Sequence, residues 1–196
     1  QDFLYVNSNN LLTFADNHDI ARIMLVGKEN DAKVKLVLTH LLTSRGTPQL
    51  LYATEIGMAG GWDHGILRTN FPGGFKGDIA NAFTKEGRTL KQNDMYEFTK
   101  ALLGLRKSYP ALQKGELKHL PPINDVYVYT RKLGGQTILI ALNGSNSEKK
   151  YDMEYIFSLC GKDVKLKDLM NNSQVQSADG KLLLKPMSGN IFLVNN

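Results

Sequence analysis

Leu11-Leu12-Thr13-Phe14-Ala15-Asp16-Asn17-His18-Asp19-Ile20-Ala21-Arg22 is the stretch on which the reading of this chain turns. A short apolar strand pattern covers residues 11–15 and runs into two carboxylates, an amide and an imidazole in four consecutive positions. Polar groups at the end of a buried strand must each find a partner, so packing alone is a poor reason to place four there. The arrangement suits a site that grips a polar substrate.

The segments that follow supply the support. Asn30 or Asp31 can cap a helix in which Val34, Val37, Leu38, Leu41 and Leu42 recur at helical spacing as far as Ser44. Arg45-Gly46-Thr47-Pro48 stops it, and Gln49 to Ala53 is short and apolar enough for a buried strand. Strand, helix and strand with tight connections form a βαβ unit, which implies a parallel sheet. Beyond Glu55 the chain is rich in loops, with Gly57, Gly60, Gly61, Gly65, Gly73, Gly74 and Gly77 interleaved with Trp62, Phe71 and Phe75. Long loops of this kind are uncommon in a domain unless they serve a function. Asn93 is placed to cap a second amphipathic helix carrying Met95, Phe98, Leu102 and Leu105, which should end at Tyr109-Pro110.

The texture then changes. Short alternating strands are predicted over Asp125–Leu133, Gln136–Asn143, Lys149–Met153, Val164–Leu169, Lys181–Lys185 and Ile191–Val194. Gly134-Gly135 reads as a two-residue hairpin turn, and Asn143-Gly144-Ser145-Asn146 and Ala178-Asp179-Gly180 as further turns. The fold class is therefore α+β, with a βα part over residues 1–112 and an all-β antiparallel part, a small sandwich, over 113–196.

Composition narrows the function classes. The 196 residues are 42% hydrophobic and 22% charged, as in an ordinary globular protein. The net charge is +5, but Lys and Arg are scattered and not interleaved with aromatics, so nucleic acid is not an expected partner. No segment approaches a membrane span. The single cysteine, Cys160, rules out an internal disulfide and a cysteine-based metal site, and its apolar setting makes it a small core residue. Gln1 to Asn10 reads as the middle of something longer.

Phe14-Ala15-Asp16-Asn17-His18-Asp19 resembles the Phe-x-x-Asn-His-Asp motif at the end of the seventh barrel strand in the α-amylase family of glycoside hydrolases (family 13). Gly46-Thr47-Pro48-Gln49-Leu50-Leu51-Tyr52-Ala53-Thr54-Glu55 resembles that family's eighth-strand signature, usually Gly-x-Pro-x-x-Tyr-Tyr-Gly-x-Glu. Asp63 to Gly74 resembles, with one residue inserted, the Asp-Gly-x-x-Arg-x-x-Phe-Pro-Gly-Gly common after the eighth strand in neopullulanase-like members, which places the resemblance near the neopullulanase or cyclomaltodextrinase end of the family. The resemblance implies the last two βα units of a (β/α)8 barrel followed by the family's small β domain. It implies that Asp19 holds sugar hydroxyls and stabilises the oxocarbenium-like transition state, that His18 hydrogen-bonds the same sugar, and that Asn17 and Arg68 support substrate binding. Neither Asp19 nor His18 is the nucleophile or the acid. Arg22 is expected to be a local ion-pair partner and Glu55 a structural carboxylate bonded to loop N–H groups. Trp62, Phe71 and Phe75 are open between stacking on sugars and packing on one another. Two departures stand out: Leu51 replaces an aromatic, and Ala53 a glycine whose loss alters the local loop.

Retaining glycoside hydrolysis needs a nucleophile and an acid/base. In the family these resemble an Arg-x-Asp on the fourth strand and a Glu on the fifth, both upstream of the His-Asp motif. No Arg-x-Asp occurs in this chain. Asp19 with Glu55 is a poor substitute, since neighbouring parallel strand ends do not by themselves oppose two carboxylates. The resemblance thus implies a C-terminal portion of a retaining α-1,4-glucan hydrolase, inactive alone, with α-glucan or maltooligosaccharide as the partner of the parent. No cofactor or metal is implied. The parent is expected to be periplasmic or extracellular, its signal segment lying outside this chain, and the open sheet edges suit pairing with a second copy. Transglycosylation or isomerisation at the same site, or a non-catalytic carbohydrate-binding or scaffolding role, are the alternatives. Tyr127 and Tyr129, on one face of one strand, read as core or sheet face, which disfavours the binding module.

Overall fold

The computed structural model describes residues 2–162, 164–175 and 179–195. Strand β1 (Leu12–Phe14) leads through a one-turn helix, α1 (Ile23–Val26), into α2 (Asp31–Thr43) and then β2 (Thr47–Gln49). β1 and β2 pair in parallel, Leu12 opposite Thr47 and Phe14 opposite Gln49, so the expected βαβ unit is present. Asn30 caps α2, its Oδ1 accepting the Lys33 N–H at 3.1 Å. The second strand lies earlier than the expected Gln49–Ala53 and shares only Gln49 with it. It ends at Gln49 because Ala53 adopts φ 67°, a left-handed conformation that cannot continue a strand, and Thr54–Ile56 wind into a 3-10 turn.

The loop region contains the one-turn α3 (His64–Leu67) and leads into α4 (Leu90–Ser108). Helix α4 begins earlier than Asn93. Thr89 is its cap: Thr89 Oγ1 accepts the Gln92 N–H, and the Gln92 side chain accepts the Thr89 N–H in return. The Asn93 side chain instead accepts from Arg88 Nε at 3.2 Å. The helix ends at Tyr109 as the proline requires, and Pro110 opens a short α5 (Pro110–Lys114) at a position that needs no N–H donor.

The remaining elements are β3 (Glu116–His119), β4 (Val126–Leu133), β5 (Gln136–Asn143), β6 (Lys149–Asp152), α6 (Met153–Cys160), β7 (Lys165–Asp168), β8 (Ser173–Val175), β9 (Lys181–Leu184) and β10 (Ser188–Asn195). Six form one antiparallel sheet in the order β3-β4-β5-β10-β7-β8, and β6 pairs with β9 in a separate ribbon. The Gly134-Gly135 hairpin holds, with Leu133 opposite Gln136 and Gly134 at φ 55°. Ala178 of the third expected turn lies outside the described residues.

This half differs from an even sandwich. One face of the six-stranded sheet, with Val126, Val128, Leu139, Ala141 and Phe192, is covered by the β6–β9 ribbon and by α6 through Tyr151, Ile156, Leu182 and Leu184. The opposite face, with Tyr129, Ile138, Ile140, Leu142 and Ile191, packs on α2, and its core continues through Leu38 and Leu42 of α2 to Met95 and Leu102 of α4 behind it. Strand alternation thus feeds two cores, which is why β4 and β5 are buried along most of their length. Cys160 is half-buried beside the ribbon core, and burial pushes its thiol up to about 11, as befits a packing residue. Gly189 sets the approach of α2 to the sheet: a Cβ there would meet Thr39 at 2.6 Å.

Two arginines, Arg106 half-buried and Arg131 buried, close the joint. Arg106 of α4 donates to the carbonyls of Leu42 (2.9 Å), Ser44 (3.2 Å), Gly46 (2.6 Å) and Leu112 (2.8 Å). Arg131 of β4, fully enclosed, donates to Thr43 O at 2.9 Å and to Gly115 O at 3.1 and 3.3 Å. Burial, with Arg106 nearby, lowers Arg131 to about 10, which leaves it charged at neutral pH. Tyr129 adds a bond between its hydroxyl and Thr43 Oγ1 at 2.5 Å. Arg131→Met keeps much of the volume and removes the donors, so it should lower the unfolding free energy in urea by about 1–3 kcal/mol. An unchanged midpoint would show that these carbonyls find other partners.

Candidate functional site

The site begins where β1 ends. Asp16 is buried and faces inward, its Oδ2 accepting from the Ile23 N–H (3.1 Å) and from Thr54 Oγ1 (3.1 Å). It anchors the loop and is not available to a ligand. Asn17 folds the next residues into a turn, its Oδ1 accepting from the N–H groups of Asp19 (2.8 Å) and Ile20 (3.1 Å). That leaves His18 and Asp19 on the surface, side chains 64% and 58% exposed, with His18 Nε2 3.2 Å from Asp19 Oδ2.

Arg68, at the end of α3, reaches across to this turn. Its Nη2 lies 2.9 Å from Asp19 Oδ1, and its Nε donates to His18 O at 3.0 Å. The structure therefore brings His18, Asp19 and Arg68 together, with Asn17 shaping the turn beneath them. One carboxylate oxygen faces a cation and the other an imidazole, so the group presents fixed acceptors beside two donors. Among the described residues, no group of three or more His, Cys, Asp and Glu is arranged to hold a metal ion, and no helix is long and apolar enough to cross a membrane.

Behind the turn sits Arg22, fully buried. The structure shows it as a backbone clamp: Nη1 donates to Tyr52 O at 2.7 Å, Nε to Leu67 O at 3.2 Å, and the guanidinium lies 4.9 Å from the centre of the Tyr52 ring. Its Nη2 is buried without a hydrogen-bond partner. Arg22 is an electrostatic neighbour of Glu55, whose carboxyl is also supported by its own N–H and that of Ala53. Burial is the larger influence and raises Glu55 above its ordinary value.

Tyr52 and Thr54 were not singled out in the sequence, yet they carry the contacts that join the two strand ends. Tyr52 also donates its hydroxyl to Thr69 O at 2.9 Å. The signal for them is weak, since each is one polar group in an apolar run. Of the three loop aromatics, Phe71 packs on Phe83, ring centres 4.3 Å apart, whereas Trp62 and Phe75 are 75% and 65% exposed.

With this geometry established, similarity to known proteins is informative. The Cyclo-malto-dextrinase C-terminal domain family matches residues 117–192. The chain is 35% identical to a cyclomaltodextrin glucanotransferase of Geobacillus stearothermophilus over 75% of its own length and 18% of that protein. It is 33% identical to a cyclomaltodextrinase of Geobacillus thermopakistaniensis over 70% of its length and 21% of the relative. The crystal structure of an Anoxybacillus α-amylase superposes on 95% of this chain and 38% of that one, with a TM-score of 0.72 at 25% identity. The chain thus spans about a fifth of the curated relatives it matches. A βα part joined to a six-stranded antiparallel sheet, with these matches at both levels, points to a family of carbohydrate-active glycosidases. The chain belongs to the α-amylase family, glycoside hydrolase family 13, and corresponds to a C-terminal portion of such enzymes.

Glu55 offers a test of the packing beside the site. A carboxyl raised on folding stabilises fully only below its unfolded value, near 4.5, and loses that contribution as pH rises through the folded value. Glu55→Gln, which mimics the protonated form, should therefore unfold at higher urea than wild type at pH 7. The difference should vanish below about pH 4. A Gln variant less stable at pH 7 would mean that Arg22 outweighs burial.

Proposed function

We propose that this chain is the C-terminal part of a retaining hydrolase of α-1,4-glucans, and that residues 11–75 supply one wall of its active site. In this reading β1 and β2 are the last two strands of a (β/α)8 barrel, α2 and α4 are their helices, and the antiparallel half is the trailing β domain. The two-stranded sheet supports this: Leu12 and Phe14 of β1 are 60% and 44% exposed, a surface suited to being covered by further barrel strands.

The observation that carries the proposal is the Asp19 carboxylate, held between His18 Nε2 and Arg68 Nη2 at the exit of a parallel strand. Catalytic groups of closed parallel barrels collect at that end of the strands. Asp19 accepts hydroxyl protons of the sugar being cleaved and lies close to the positive charge that develops at its ring. His18 hydrogen-bonds the same sugar. Arg68 orients the carboxylate and adds donors for a neighbouring hydroxyl. The nucleophile and acid/base belong to strands outside this chain, so bond cleavage requires the longer protein.

Glucanotransferases among the relatives make transfer to a sugar acceptor the second reading. It uses the same wall and differs in whether water or a hydroxyl attacks the glycosyl intermediate.

Two measurements test this. The 196-residue chain should release no reducing sugar from maltooligosaccharides; release would place a catalytic pair within it. In the longer enzyme, Asp19→Asn should lower kcat by about 10²–10³-fold or more with the fold intact, as expected for losing an electrostatic stabiliser of the transition state. An unchanged rate would remove Asp19 from the site.

A further inference from the structure

Trp62 is the chain's single tryptophan and is 75% exposed, which is unusual for the side chain with most to gain from burial. Among the described residues no aromatic ring stacks on it and no cation lies over it. Its backbone is nonetheless firmly placed. Gly60 lies on Arg22, where a Cβ would come within 3.1 Å of Arg22 Cδ, and Gly61 lies on Ile66, where a Cβ would meet Cγ2 at 2.8 Å. The buried Arg22 is itself fixed to Tyr52 O and Leu67 O. On the other side, Asp63 caps α3, its Oδ1 accepting the Gly65 N–H at 2.8 Å and its carbonyl the Leu67 N–H at 2.8 Å.

The same short helix therefore carries Trp62 just before its start and Arg68 at its end, and Arg68 grips Asp19. Four residues of helix span about 6 Å. The ring is thus uncovered, on a backbone fixed at both sides, and it flanks the short helix whose other end carries Arg68 to Asp19. An indole presents an apolar face and one N–H donor, matching the mixed C–H and hydroxyl surface of a pyranose ring. Phe71, which packs on Phe83, has no such free face.

We propose that Trp62 is a stacking platform for a second glucose ring of the α-glucan whose neighbouring ring is held at His18, Asp19 and Arg68. This rests on the glucan reading given above. It makes Trp62 a specificity-determining residue that favours longer oligosaccharides over glucose.

Because no other tryptophan contributes to the emission of the 196-residue chain, intrinsic fluorescence reports on this ring alone. Maltoheptaose should shift or quench the emission saturably, with glucose far weaker. By calorimetry, Trp62→Ala should weaken maltoheptaose binding about tenfold or more, as removal of a stacking anchor does, and Trp62→Phe should recover part of it. Asp19→Asn should also weaken it. Maltoheptaose binding that leaves the emission unmoved and is equal in Trp62→Ala would overturn the platform while leaving the His18–Asp19 wall standing. Binding that depends on Trp62 but is indifferent to Asp19→Asn and to Arg68→Ala would overturn the shared site. No saturable binding to the wild-type chain would overturn both.

Discussion

The carbonyl end of α2 is the point on which the two halves of this molecule depend. The last carbonyls of a helix have no partner within it and carry the negative end of its dipole. Here Leu42 and Thr43 of that end are buried between α4 and the antiparallel sheet, and Ser44 is half-buried. Arg106 and Arg131 supply the donors, one from each side: Leu42 and Ser44 bond the first, Thr43 the second. Enclosing a guanidinium is costly, and it is tolerated because these donors meet several carbonyls at once. Hydrogen bonds from charged groups contribute about 1.5–3 kcal/mol each, so a cluster of them offsets much of the desolvation. The lowering of Arg131 shows that burial is felt, and that it is not large enough to discharge the group.

A second arginine clamp does for the site what the first does for the core. Arg22 and Asp16 both lie under the β1 exit, and both point away from solvent. Asp16 ties that exit to Thr54 and to the start of α1, and Arg22 ties it to Tyr52 and Leu67. The exposed groups proposed to meet substrate stand on these contacts: His18 and Asp19 directly above them, Arg68 one residue beyond Leu67, and Trp62 two residues after Gly60, which lies on Arg22. The division of labour is sharp, with buried polar side chains fixing backbone and exposed ones left for chemistry.

What was legible in the sequence follows the range of the interactions. The polar cluster after β1, the Asn30 cap, the Gly-Gly hairpin and the alternation of β4 and β5 are local patterns, and each appears in the structure. Thr89-x-x-Gln92 is a local signal too, but Asn93 competes with it in sequence, and only the reciprocal bonds decide between them. Helix α6 announces itself by Asp152 followed by Met153, Ile156 and Cys160 at helical spacing, a pattern easily lost among short strands. β3 and β8 have few apolar residues, because edge strands are held by backbone pairing with β4 and β7 more than by side-chain burial. The Asp16–Thr54 and Arg68–Asp19 contacts join residues 38 and 49 positions apart, and no spacing rule could separate the inward Asp16 from the outward Asp19. Nor does sequence reveal that Arg22 serves carbonyls, since a carboxylate partner would have read the same.

Ala53 shows how closely the site's support depends on one awkward residue. Its side chain is fully buried at φ 67°, a conformation that favours glycine and costs a residue with a Cβ on the order of 1–2 kcal/mol. The strain persists because the kink is needed. Were residues 50–55 to continue as a strand, the Tyr52 carbonyl would be committed to a ladder and Thr54 would alternate with its neighbours. With the kink, the Tyr52 carbonyl meets Arg22, Thr54 meets Asp16, and the Ala53 carbonyl accepts from the Ile56 and Met58 N–H groups to close the 3-10 turn. The chain also leaves β2 in the direction that carries Gly60 onto Arg22 and Arg68 back to Asp19. The methyl group at residue 53 is thus a local cost borne by the contacts that hold the two strand ends in register, and those contacts set the spacing of every group proposed to touch a sugar.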